Sequence, residues 1–313
     1  MFGTTSELPI VVLHALMPTT QRMVLNRRGS TVWEVDSHRG RYAVKLGYPI
    51  EATADWPAQP WTALAPAREG AILHRLGCEE VAYGEWEQGT WNFQPWREGP
   101  DLYRLWEPSR SEDSTIKPHV SVALSCVEAL AELHAAGWAH GDVQPAHFIV
   151  GPERTHLIDL ALAHGGQVPS GYNFPFRGCL VHYEAPEIAQ SVLATGTAEP
   201  SEEADVYALG ASLLMSATGW RVVEYPDDAP RPVQREAVAR GNRRSVKVSG
   251  QLGELIDAML SHAPGDRPTI YEVGKALSRS RNLDNGRPSA GDNKRPDHPS
   301  AWTANRVVRS RTP

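Results

Sequence analysis

From Arg22 to Tyr48 apolar and polar residues alternate, broken by the turn-like stretches RRGS and SHRG. A period of two interrupted in this way predicts three short antiparallel strands. A loop rich in Pro, Ala and Trp runs from Pro49 to Pro66. In AREGAILHRLG the positions Ala67, Ala71, Ile72 and Leu76 recur at helical spacing, with Gly77 at the expected stop. VAYGEW and TWNFQPW read as two more strands, and REGPDL as a turn.

Beyond Pro118 the period changes. VSVALSCVEALAELHAAG predicts a long apolar helix closed by Gly137. Two short apolar runs, FIV and HLIDL, flank the turn GPERT. Further helices are expected at SEEADVYALGASLLMSATG, with Ser201 as N-cap, and at QLGELIDAMLSHA. No internal repeat is visible. The order predicts an α+β chain: an N-terminal extension over 1–21, a small antiparallel-sheet lobe with one helix over 22–97, and a larger, mostly helical lobe over 98–279. Residues 280–313 carry little apolar content and many Pro, Gly, Asn and Arg, which predicts a disordered basic tail.

Composition narrows the class. The 313 residues are 41% hydrophobic and 22% charged, with mean hydropathy −0.39, as in a soluble globular protein. A net charge of −6 gives no electrostatic reason to expect a nucleic-acid partner. Cys78, Cys126 and Cys179 are scattered, neither a disulfide framework nor a zinc set. The apolar stretch LPIVVLHALMP is short and no Lys or Arg precedes it, so neither a signal peptide nor a membrane span is expected, and a cytoplasmic location follows.

Candidate chemistry lies in three places. In HGDVQPAHFIV, Asp142 occupies a loop between helix and strand, where a carboxylate can take a proton from a hydroxyl, and His147 follows five positions on. In LIDLALA, Asp159 follows an apolar strand and can bind a cation. In RYAVKLGY, Lys45 can pair with phosphates and with an acid on the following helix, for which Glu69 is the candidate. Phosphoryl transfer asks for these parts: phosphates held, their charge neutralised by metal and Lys, and a hydroxyl oriented by a carboxylate.

This arrangement, from about Arg22 to Ser278, resembles the eukaryotic-type protein kinase family, as a divergent bacterial member. The matching segments are YAVK, REGAIL, HGDVQPAH, DLA and APE, together with EADVYALG and GDRPT. The resemblance implies a bilobal protein-kinase-like fold, ATP and a divalent metal (Mg or Mn), with Asp142 as catalytic base and Asp159 and His147 at the metal. It assigns Lys45, Glu69, Gly29 and Gln144 to ATP. It further implies that Asp205 anchors the catalytic loop, that His140 props the region of Asp159, and that Arg267 pairs with Glu187. Trp33, Trp91 and Trp96 are expected in the core.

Four departures qualify the resemblance. RRGSTVWEV keeps only Gly29 of the usual glycine-rich loop, Gln144 stands where Ser/Thr kinases carry Lys, His147 replaces Asn, and Gly141 replaces Arg. Imidazole suits softer metals than Mg²⁺, so His147 either changes the metal preference, contributes through a water, or has lost that site; the first predicts activity raised by Mn²⁺ relative to Mg²⁺. The leading expectation is phosphorylation of Ser or Thr hydroxyls on a peptide or protein. HGDxQPxH also resembles stand-alone kinase-like enzymes of lanthipeptide-type maturation, where a partner lyase acts next. A pseudokinase scaffold and an aminoglycoside-type phosphotransferase are the alternatives. No GxSxG, HExxH or dinucleotide GxGxxG pattern supports another enzyme class.

Overall fold

Two-residue turns set the register of the first sheet. β1 (Pro18–Arg27) and β2 (Ser30–Ser37) pair antiparallel through Arg27 and Ser30, with Arg28 at φ 51° and Gly29 at φ 74° in the turn between them. Both left-handed residues are what a hairpin turn of this length requires. β3 (Gly40–Gly47), β4 (Ala82–Trp86) and β5 (Gly89–Pro95) complete an all-antiparallel sheet of order β1-β2-β3-β5-β4.

The computed structural model of the chain describes residues 7–53, 58–111 and 115–284. They form two compact units: the sheet unit, 7–96 with 167–174, and the helical unit, 97–166 with 175–284. The expected tail falls outside the described residues, except that its first residues, 280–284, continue a helix.

In the sheet unit the two faces of the sheet differ. Trp33, Val35, Tyr42, Val44, Leu46 and Trp91 form an apolar core with Leu8, Val12 and Leu16. The last two belong to a short helix, α1 (Ile10–Leu16). α1 covers the sheet as a further short helix, and β1 begins at Pro18, four residues ahead of Arg22. The second helix, α2 (Ala65–Arg75), packs on β5 and β4. Phe174 lies under Arg68 of this helix at 5.3 Å, and Tyr172 meets Tyr83 edge-on at 6.1 Å. Trp33 and Trp91 are core residues as expected; Trp96 is half-buried.

The helical unit contains α3 (Leu102–Leu105), α4 (Val120–Ala135), the hairpin β6 (Phe148–Val150) and β7 (Thr155–Leu157), then α5 (Pro186–Thr195), α6 (Glu202–Thr218), α7 (Arg231–Arg240), α8 (Gly250–Met259) and α9 (Ile270–Asp284). Helix α6 is its axis, buried at nearly every residue from Ala204 to Ala217. Its N-cap is the expected Ser201, whose hydroxyl accepts from Ala204 N–H at 3.1 Å. Gly210 lets α8 approach, since a Cβ there would lie 2.9 Å from Met259 Cβ. The chain is thus α+β, a five-stranded antiparallel sheet with helices followed by a mostly helical region. No helix among the described residues is long and apolar enough to cross a membrane.

Candidate active site

In the sheet unit the alternation of β3 turns Tyr42, Val44 and Leu46 into the apolar core and Lys45 to the opposite face. There the Lys45 ammonium lies 2.8 Å from each carboxylate oxygen of Glu69 on α2. Glu69 is 1% exposed, so its charge needs more than one partner. Gln94 Nε2 donates to Oε1 and Asn92 Nδ2 to Oε2, both at 3.1 Å. Asn92 also donates to Pro66 O at 2.7 Å. Thr90 continues the polar stripe of β5, accepting from Ala67 N–H at 3.1 Å and donating to Ala63 O at 2.6 Å. Residues 90, 92 and 94 therefore sew α2 to the sheet and fix Glu69 against Lys45. The sequence reading missed Asn92 and Gln94. Their signal was the period-two run of polar residues on a strand whose other face is Trp91 and Phe93.

Gly29 is occupied by its own chain. A Cβ at this residue would lie 2.6 Å from Thr62 Oγ1 and 2.7 Å from Tyr48 O, and Gly29 O accepts from Tyr48 N–H at 2.9 Å. The hairpin turn is packed on Tyr48, Ile50 and Thr62, which accounts for the glycine without reference to a ligand.

In the helical unit the loop bearing Asp142 hangs from Asp205 of α6. Asp205 is 2% exposed; its Oδ2 accepts from His140 N–H at 2.5 Å and lies 3.0 Å from His134 Nε2, while Oδ1 accepts from Gly141 N–H at 2.9 Å. Gly141 has φ 76°, and a Cβ there would lie 2.8 Å from Leu162 O, so the loop is built around glycine at this position. His140, fully buried, accepts from Asp142 N–H at Nδ1 (3.1 Å) and donates from Nε2 to Ile158 O (3.0 Å). That pattern assigns the neutral tautomer, and burial together with the neighbouring His147 lowers its pKa. The bond to Ile158 holds the residue preceding Asp159, which takes the left-handed conformation, φ 67° and ψ 63°, with its side chain 40% exposed. The roles expected for Asp205 and His140 as supports match these contacts.

Asp142 is 17% exposed at the side chain. Its Oδ2 accepts from Gln144 Nε2 at 3.0 Å, and the Leu180 backbone N–H also supports the carboxylate. Burial, followed by the negative charge of Asp159, pushes the carboxyl up from 3.8 to about 7. His147 Nδ1 lies 2.9 Å from Asp142 O, a carbonyl that can only accept, so Nδ1 carries the proton. Nε2 then faces Asp159 Oδ2 at 3.4 Å. A proton on Nε2 or a cation between the two suits this approach. Asp159 and His147 therefore fit a divalent cation as two of its ligands. No set of three or more His, Cys, Asp or Glu among the described residues completes a metal site, so the remaining ligands would be phosphate oxygens and water. Beside Gln144 opens a cavity of about 310 Å³ lined also by Asp101, Tyr103, Pro145, Ala146 and Tyr183.

Two buried ion pairs brace the segment after Asp159. Arg267 grips Glu187 with both terminal nitrogens, at 2.7 and 2.8 Å, as the resemblance implied. Arg235 of α7 grips Glu184, at 2.7 and 3.0 Å, and Glu184 also accepts from Cys179 N–H at 3.1 Å. The second pair was not legible, because Arg235 belongs to a helix with a single buried residue, Val238.

No family model matches the chain. Among curated proteins it is similar to the membrane-associated tyrosine- and threonine-specific cdc2-inhibitory kinase wee-1.3 of Caenorhabditis briggsae, 25% identical over 205 residues, 62% of this chain and 30% of that protein. It is also similar to the serine/threonine-protein kinase PkaA of Streptomyces coelicolor, 27% identical over 187 residues, 58% of this chain and 32% of that protein. The chain thus spans about 30% of the length of the curated relatives it matches. Among solved structures, the Cydia pomonella granulovirus kinase PK-1 matches with a TM-score of 0.57 and 16% identity, over 85% of this chain and 96% of that one. That likeness establishes a protein-kinase-like fold.

Proposed function

We propose that the chain is an ATP-dependent phosphotransferase acting on Ser or Thr hydroxyls of a peptide or protein. The observation that carries this reading is the buried Asp142 carboxyl, met by Gln144 Nε2 and the Leu180 N–H at the end of a loop anchored by Asp205 and pushed up to about 7. A buried carboxyl raised in this way is poised to take a proton near neutral pH. In the reaction the acceptor hydroxyl donates its proton to Asp142 as its oxygen bonds to the γ-phosphorus and the bond to ADP breaks. Lys45, held by Glu69, offers an ammonium to phosphate oxygens. A divalent cation held by Asp159 and His147 would neutralise phosphate charge, and the imidazole favours Mn²⁺ over Mg²⁺. The cavity beside Gln144 suits the acceptor.

The resemblance of HGDxQPxH to kinase-like enzymes of lanthipeptide-type maturation points to a biosynthetic precursor peptide in the cytoplasm as acceptor, with a lyase as partner enzyme. A binding module without turnover is the second reading. Two observations favour it: Gly29 is filled by its own chain, and Gln144 occupies Asp142 Oδ2. Labelled ATP, incubated with candidate peptides and either metal, separates the two. Peptide labelling that Asp142→Asn removes supports the enzyme. Nucleotide-dependent thermal stabilisation without labelling of any peptide supports the binding module.

A further inference from the structure

Past the C-terminal end of α6, residues 220–223 and 243–247 run side by side. They are joined by the antiparallel bridge of Val223 with Arg243 and by Arg244 N–H donating to Val222 O at 2.8 Å. Here lies a cavity of about 350 Å³ with no carboxylate among its lining residues. Leu214 and Trp220, the latter 60% exposed, give it an apolar side. Arg221, Arg244 and Lys247 give it three cations, and Ser245 an exposed hydroxyl. The Arg244 guanidinium lies 4.7 Å over the Trp220 ring, and that of Arg221 4.5 Å over Tyr225, so both planes are held by stacking.

The carboxylates that meet these cations stand at the surface. Arg221 pairs with Asp227 and Arg244 with Glu224, whose side chains are 84% and 78% exposed. Pairs so exposed hold weakly and exchange readily for a better anion. Lys247 is exposed with no carboxylate in ion-pair reach among the described residues.

We infer that this cleft docks a phosphorylated side chain of a peptide or protein, with Arg221, Arg244 and Lys247 taking the phosphate and the flanking residues packing on Leu214 and Trp220. Guanidinium forks match phosphate geometry, and a dianion gains from three cations what a single surface carboxylate does not. The exposed aromatic wall suits one side chain of an extended peptide better than an enclosed small molecule. Binding here needs neither Asp142 nor nucleotide, so the inference stands apart from phosphotransfer.

The test is fluorescence anisotropy of the full chain with a labelled phosphoserine-centred peptide library and its unphosphorylated counterpart, with inorganic phosphate and AMP as competitors. We expect the phosphorylated pool to bind at least about tenfold more tightly. Lys247→Gln, at an exposed residue, weakens that binding about threefold, and combined with Arg244→Gln about tenfold or more. Equal binding of the two pools overturns the inference, as does unchanged affinity in the double variant. Displacement by inorganic phosphate or AMP as efficient as by the phosphopeptides themselves also overturns it, because the cleft is then a small-anion site.

Discussion

In the sheet unit the ionic centre is closed on itself: both oxygens of Glu69 are met by Lys45, and Asn92 and Gln94 fill the rest. In the helical unit the ionic centre is open. Asp142 is buried with its carboxyl pushed up by Asp159, Asp159 Oδ2 lies 3.4 Å from His147 Nε2, and the loop beneath them is hydrogen-bonded to Asp205. The first cluster neutralises its buried carboxylate before any ligand arrives, though Asn92 Oδ1 stays buried without a partner. The second gathers two carboxylates whose charge a cation and a hydroxyl would complement, which suits a site preorganised for chemistry.

This contrast breaks most severely at Glu69. Glu69→Ala strands the Lys45 ammonium and two amides, and we expect a loss of roughly 3–5 kcal/mol of stability, read by denaturant unfolding. Asn92→Leu, which removes one donor from Glu69 and one from Pro66 O, is expected to cost about 1–3 kcal/mol. An unfolding midpoint unchanged in either variant would show that the closed cluster is not what holds α2.

The open cluster responds differently. His147→Asn replaces an imidazole by an oxygen ligand, and the Mn²⁺-over-Mg²⁺ preference in a metal titration of the nucleotide complex should fall on the order of tenfold. A wild type that depends on Mg²⁺ alone would remove the case for His147 as a ligand. Asp142→Asn tests the same cluster without metal. The folded carboxyl titrates at about 7 against 3.8 ordinarily, so the fold binds this proton more tightly than the unfolded chain does. Its contribution to stability is therefore present at low pH and lost as pH rises from about 4 to about 7. In chelator, the melting temperature of Asp142→Asn relative to wild type should be higher at pH 8 than at pH 5.

Lys45, Asp142 and Asp159 were legible because each stands at a fixed place in an ordered series of short motifs, and Asp205 and Arg267 because they complete that series. The contacts of Asp205 with His140 and Gly141, and of Arg267 with Glu187, follow the same order. Helix α1 was not legible, since seven residues give Val12 and Leu16 too few turns to declare a period. Nor was the setting of Gly29: its neighbours Tyr48 and Thr62 lie 19 and 33 positions away, and a glycine-rich loop and a packed turn look alike in a string of letters. Asn92 and Gln94 were hidden for a related reason, because a polar residue on a strand ordinarily faces water.

The most direct measurement is transfer of label from γ-labelled ATP to a hydroxyl-bearing peptide, made beside nucleotide affinity, for the wild type and Asp142→Asn. We predict that the variant keeps the wild-type affinity and loses transfer by about 10²–10⁴-fold. Equal transfer by both proteins, or nucleotide binding with no transfer by either, would contradict the assignment of Asp142 as the base of a phosphotransferase.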